Sequence, residues 1–150
     1  MPRHGARSKI RTNCRLGTAL RRSAGIYVAL QMAHDYILVV DDDDAIRDSV
    51  VEALEDASYP VRSAHDGREA LSILRQGDGR PCLVLLDLMM PVMDGWAFAR
   101  EQSQDPALAD LPICVITAVG TSRPIPSDAV AVVRKPFKLK DLLDVVQQHC

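Results

Sequence analysis

The sequence predicts an α/β fold, a five-stranded parallel sheet with helices on both faces. Three observations lead there. Five short strand-like runs, at 36–40, 60–64, 83–86, 113–116 and 129–133, all but the second apolar, are interleaved with stretches of helical periodicity, which is the mark of βαβ units. The third run, LVLL at 83–86, is apolar at every position, as a strand buried on both faces of a parallel sheet must be. Polar residues then follow four of the five runs: Asp41 and Asp42, Asp87, Thr117, and Lys135. In a doubly wound sheet the carboxyl ends of the strands share one edge, where ligands bind.

Residues 1–34 carry seven Arg or Lys, no acid and little apolar periodicity. They read as a basic, disordered extension, because no apolar face offsets the entropy of ordering them. Met32 lies just before the ordered part and is a candidate natural start. The domain proper is 35–150. Its first strand, YILVV at 36–40, runs into four aspartates at 41–44. Ile46, Val50, Val51, Leu54 and Ala57 then recur at helical spacing, so 45–57 is a helix with Asp44 as its cap. The second strand, 60–64, leads to an Asp66-Gly67 turn. Ala70, Leu71, Ile73 and Leu74 mark a second helix, closed by Gly77 and Gly79. After the central strand, Pro91 and Gly95 shape a loop, and 96–104 is a third helix. The strands at 113–116 and 129–133 follow, and then a last helix over 139–148 with Leu142, Leu143, Val145 and Val146 apolar. The link 118–128 is long enough for a crossover. It contains Pro124 and Pro126, so a regular helix is not expected there, since each proline removes a donor and crowds the preceding turn.

The 150 residues suffice for one domain with a core. No run approaches the roughly 18 apolar residues of a membrane span. Residues 35–150 hold 11 of the 18 basic residues and all 20 acidic ones. A domain this acidic is not expected to bind nucleic acid itself. The cysteines show no CxxC or Cys/His metal spacing. Cys82 and Cys114 fall at or in apolar runs, where a free thiol acts as a small hydrophobe. This usage reads as a reducing, cytoplasmic compartment.

Three converging carboxylates repel: one pair at 4 Å costs about 4 kcal/mol at an effective dielectric of ~20. Lys135 supplies one positive charge and a divalent ion would supply two. A site of oxygens without His or Cys suits Mg²⁺. With a metal and a cation screening an incoming phosphoryl group, a carboxylate can serve as nucleophile. Lys135 suits phosphate as a point charge. The Thr117 hydroxyl can donate a hydrogen bond to a phosphoryl oxygen.

VVDDDDAIRDSV, LVLLDLMMPVMDGW, ITA and RKPF, in that order, resemble the receiver domain of bacterial two-component response regulators, from Tyr36 to the C-terminus. The resemblance implies a flavodoxin-like fold with strand order 2-1-3-4-5. It implies that Asp87 accepts a phosphoryl group from a sensor histidine kinase or phosphotransfer protein. Asp41, Asp42 and Asp87 would hold Mg²⁺, with the backbone carbonyl of Met89 as a further ligand. Thr117 and Lys135 would bind phosphoryl oxygens, and the Lys135-Pro136 bond would be cis. Such a domain is not an enzyme; it catalyses only its own phosphoryl transfer and slow dephosphorylation, and switches protein contacts. Because no output domain follows the last helix, the resemblance predicts a stand-alone receiver acting on a downstream protein.

Two features depart from the family pattern. An aromatic usually stands three residues before the lysine and turns inward on activation; here that residue is Val132. The fourth helix is shortened or irregular. The switch region is therefore expected around Val132 and Ala118, with the loop after Ala118 carrying the change. In receivers, the positions two after the phosphoacceptor and two after the threonine flank the approach of water. Met89 and Val119 stand there, and neither side chain holds a water well, so a long-lived phosphorylated state is expected. Two other readings stay open. A haloacid dehalogenase-type phosphatase would use Asp41 and Asp43, but it needs an acidic pair at a strand end beyond the lysine, and Asp141 and Asp144 fall in a helix. A receiver-like binding module would not be phosphorylated, although all five site residues are present.

Overall fold

The computed structural model describes residues 35–118, 120 and 122–150. The expectations for 1–34, the candidate start at Met32 included, and for Val119 fall outside those residues. In chain order the elements are β1 (Asp35–Val40), α1 (Asp44–Asp56), β2 (Val61–Ala64), α2 (Gly67–Gln76), β3 (Arg80–Asp87), α3 (Gly95–Gln104), β4 (Ile113–Ala118), β5 (Ala129–Lys135) and α4 (Leu139–His149). All five strands pair in parallel, in the order β2-β1-β3-β4-β5.

Strand alternation sends successive side chains to opposite faces, and each face is covered. Leu38, Val40 and Leu86 pack with Leu71 of α2 and Phe98 of α3. Ile37, Val39 and Leu85 pack with Leu54 of α1 and with Leu142 and Val146 of α4. Residues 83–86 are therefore wholly buried, which is why that run carries no polar position.

Helix starts depart from the expected ones by a residue. Asp43, not Asp44, caps α1: its backbone is extended and its carboxylate accepts the Ile46 N–H at 3.0 Å. Asp44 lies in the first turn and pairs with Arg47. Asp66-Gly67 is not a free-standing turn but the start of α2, where the Asp66 carboxylate accepts the N–H groups of Arg68 and Glu69. Such a carboxylate satisfies helix N–H groups that have no partner within the helix. Gly77 closes α2 at φ 75°.

Cys82 is not a free thiol, so cysteine usage no longer argues for a reducing compartment. It is bonded to Cys150, 68 residues away, joining the start of β3 to the end of α4. Only the folded topology brings the two together, so sequence spacing carries no sign of the pair. Cys114 is free and buried, as expected.

Among the described residues of the link between β4 and β5 there is no helix. The link is tied to α3 instead. The Trp96 indole N–H donates to the Pro124 carbonyl at 2.8 Å, the Arg123 guanidinium stacks 4.2 Å above the Trp96 ring, and Arg123 also reaches Asp94. Ala131 and Val133 pack into the core shared with α1 and α4. Alternation then turns Val130 and Val132 to the other face, where they are 47% and 41% exposed. Val132 thus lies on an open stretch of sheet.

Candidate functional site

Register brings the site together. Val40 of β1 pairs with Leu86 of β3, so Asp41 and Asp87 leave their strands at the same level. Asp87 pairs with Ile116 of β4, and Ala118 pairs with Lys135 of β5. Carboxylate oxygens of Asp41, Asp42 and Asp87 lie within 4.8 Å of one another. The Lys135 ammonium lies 3.0 Å from Asp41 and 3.6 Å from Asp87. Asp41 and Asp87 are buried, and Asp42 is exposed and faces solvent.

Backbone donors fix the two buried carboxylates. The Asp43 N–H donates to Asp41 at 2.9 Å, and the Met89 N–H donates to Asp87 at 3.3 Å. Arg47 donates to the Asp41 carbonyl at 2.9 Å, bracing the end of β1. Thr117 is fully buried and its hydroxyl donates to the Ala118 carbonyl. The Met89 side chain is 60% exposed beside the site. The Lys135-Pro136 bond is cis.

Burial raises the Asp87 carboxyl to about 6; Lys135 opposes the rise and Asp41 adds to it. Burial pulls the Lys135 ammonium down, but the hydrogen bond to Asp41 and the charges of Asp87 and Asp41 leave it net above its usual value. One lysine faces three carboxylates, so the cluster is short of positive charge. Its donors are all oxygens, which fits a hard divalent ion such as Mg²⁺. Binding that favours the native state adds RT ln(1 + [L]/Kd), about 2.7 kcal/mol at a hundredfold excess over Kd. Millimolar Mg²⁺ is therefore expected to raise the melting temperature by several degrees. An unchanged melting curve would count against a metal at these aspartates.

Two depressions border the cluster. A cleft of about 570 Å³ is lined by Met89, Met90, Trp96, Ala118 and Arg123 among others. An apolar groove of about 640 Å³ runs between Ile46 and Val50 of α1 and the segment Lys135, Pro136, Phe137 and Leu139. Two residues of the site's frame escaped sequence reasoning. Arg47 carries a signal only in its offset from Asp41. Gly95 reads as a turn glycine, whereas a Cβ there would meet the Asp87 carbonyl oxygen at 2.5 Å.

The strand order and the acidic sheet edge define a flavodoxin-like α/β domain. The chain belongs to the response regulator receiver domain family, whose model matches residues 37–147. That family consists of signalling domains rather than classical enzymes. The chain is 43% identical over 111 residues to the response regulator MprA of Mycolicibacterium vanbaalenii, covering 71% of this chain and 46% of that protein. It is 37% identical over 113 residues to the DNA-binding dual master transcriptional regulator RpaA of Synechocystis, covering 71% and 45%. The chemotaxis protein CheY4 of Vibrio cholerae superposes with a TM-score of 0.67 at 32% identity, over 79% of this chain and all of that one. The chain spans about half the length of the curated relatives it matches. No helix among the described residues is long and apolar enough to cross a membrane.

Proposed function

We propose that this domain is a phosphoacceptor switch in which Asp87 takes a phosphoryl group from a sensor histidine kinase or phosphotransfer protein, with Mg²⁺ bound, in the cytoplasm. The observation that carries the reading is the meeting of Asp87 with Asp41, Asp42 and Lys135 at one sheet edge. Asp87 is the nucleophile. Asp41 and Asp42 complete the metal site with the Met89 carbonyl. Lys135 and Thr117 bind the phosphoryl oxygens, Lys135 as a positive charge and Thr117 by turning its hydroxyl from the Ala118 carbonyl to donate a hydrogen bond, so the charge that develops in transfer is met by the ammonium and the metal. The Lys135 end of the apolar groove beside α1 gives a donor protein a surface next to the acceptor. RpaA is named as DNA-binding; residues 35–150 here are acidic, so the output we propose for this domain is a changed protein contact. Val132 has no ring to bury, so the change falls on Ala118 and the link clasped by Trp96.

A small acyl phosphate with Mg²⁺ tests this. The expected result is one acid-labile phosphoryl group, mapped to Asp87. Catalytic turnover of the donor through Asp41 would instead mark a phosphatase, and an unmodified protein a binding module. After donor removal the group is expected to persist for minutes or longer, because Met89 and Val119 offer no group to hold a hydrolytic water. Loss within seconds would overturn that part of the reading.

A further inference from the structure

We propose that Cys82 and Cys150 are a thiol–disulfide switch that clamps α4 to the sheet, giving the domain a redox input separate from its phosphoryl site. The pair joins the third residue of β3 to the C-cap of α4. Without the bond, α4 is held only along its length. Leu142 and Val146 are its buried residues. Beyond them Gln147 and Gln148 are exposed. At the other end the Lys138 cap makes no side-chain hydrogen bond. The last turn keeps the bond from the Cys150 N–H to the Val146 carbonyl at 2.8 Å, and the disulfide is what ties that turn to β3.

The chemistry is confined to this pair among the described cysteines. Cys150 is exposed and Cys82 half-buried, whereas Cys114 is fully buried and its thiol is pushed up to about 12. A thiol of that kind neither attacks nor is reached. The proposal rests on the cytoplasmic placement proposed above together with the kinase, not on cysteine usage, because in a reducing compartment a disulfide is transient and redox-sensing rather than permanent. The oxidant is a low-molecular-weight disulfide of the glutathione class. The Cys150 thiolate attacks one of its sulfurs and expels one small thiolate. The Cys82 thiolate then attacks the Cys150 sulfur of the mixed disulfide and expels the second. One S–S bond forms in the protein, the small disulfide becomes two thiols, and these take up the protons the cysteines lost. Asp87 lies five positions beyond Cys82 along β3, roughly 16 Å at ~3.3 Å per residue. The switch therefore leaves the phosphoryl site in place and acts on the helix that follows it.

The test uses the full chain in a Cys14→Ser background, equilibrated in glutathione buffers from reducing to oxidising, with thiols trapped in acid and mapped by mass spectrometry. The expected result is a pair that converts between both states within that range while Cys114 stays a thiol. The reduced form should melt roughly 10 °C lower, since the bond closes a long loop in the unfolded chain. Amides of 143–149 should exchange about tenfold faster in it, as local opening of a freed helix end requires. Cys150→Ser changes an exposed position and should match the reduced form in every buffer. A pair fixed in one state across the range, or equal exchange of α4 in both states, would overturn the proposal. No phosphodonor enters the thiol mapping, so failure of the phosphorylation reading leaves its outcome legible.

Discussion

Asp87→Asn is expected to abolish acid-labile phosphorylation while raising the melting temperature of the metal-free protein at neutral pH. The first effect follows from removing the nucleophile, since an amide cannot take its place. The second follows from the electrostatics of the cluster. Burial and the neighbouring Asp41 raise the Asp87 carboxyl from 3.8 to about 6, despite Lys135 at 3.6 Å. A shift of that size corresponds to on the order of 3 kcal/mol against the ionised form. Asparagine keeps the shape and discards the charge.

The sign fixes the pH window. The native state holds this proton more tightly than the unfolded chain, so the associated stability is present below about 4 and is lost as pH rises through about 6. The advantage of Asp87→Asn should therefore be full at pH 7.5 and shrink toward pH 4. Saturating Mg²⁺ should narrow it, because the ion offsets the same repulsion in the parent. Paired thermal melts with and without Mg²⁺ at both pH values decide this. Normal labelling of the variant would remove Asp87 as the acceptor. Equal metal-free stability at pH 7.5 would mean that the carboxylates do not press on one another as the geometry requires.

The sheet was legible because burial on both faces leaves a direct mark in the sequence. Residues 83–86 are apolar throughout since α2 and α3 cover one side and α1 and α4 the other. The family resemblance supplied the strand order, and the register explains why residues after different strands converge. Single-residue features were less legible. Asp42, Asp43 and Asp44 are equivalent cap candidates by type, and only the extended backbone at Asp43 selects it. The Cys82–Cys150 bond and the Trp96–Arg123 clasp join positions far apart in sequence, with no periodicity to announce them. Gly95 was visible as part of a turn, but the reason that only glycine fits there is a distance to another strand's end.

That distance makes Gly95→Ala the most damaging small substitution expected outside the cluster itself. Gly95 opens α3, and in a helix alanine is favoured over glycine by up to about 1 kcal/mol. Propensity alone therefore predicts stabilisation. Packing predicts the reverse. The new Cβ would lie 2.5 Å from the Asp87 carbonyl oxygen, 2.8 Å from Leu88 Cα and 2.9 Å from Leu88 Cδ2. Two of the three are backbone atoms, and the Gly95 N–H is already bonded to the Leu88 carbonyl at 3.0 Å, so the strand end cannot swing aside without breaking that contact. Overpacking of this kind costs about 1–3 kcal/mol, occasionally more, which outweighs the helical gain. Because the struck carbonyl belongs to Asp87, the carboxylate moves with it, and phosphorylation should slow along with the loss of stability. Gly67→Ala is the control. Its Cβ would meet chiefly the Met93 side chain, with Cγ at 2.8 Å and Sδ at 3.1 Å, besides the Met93 carbonyl oxygen at 3.0 Å. A flexible thioether can yield, so that variant should lose less stability and keep its phosphorylation rate. Measuring melting temperature and labelling rate on both variants separates the effects. If Gly95→Ala were as stable and as readily phosphorylated as the parent, α3 would not be seated against the acceptor strand as the structure has it.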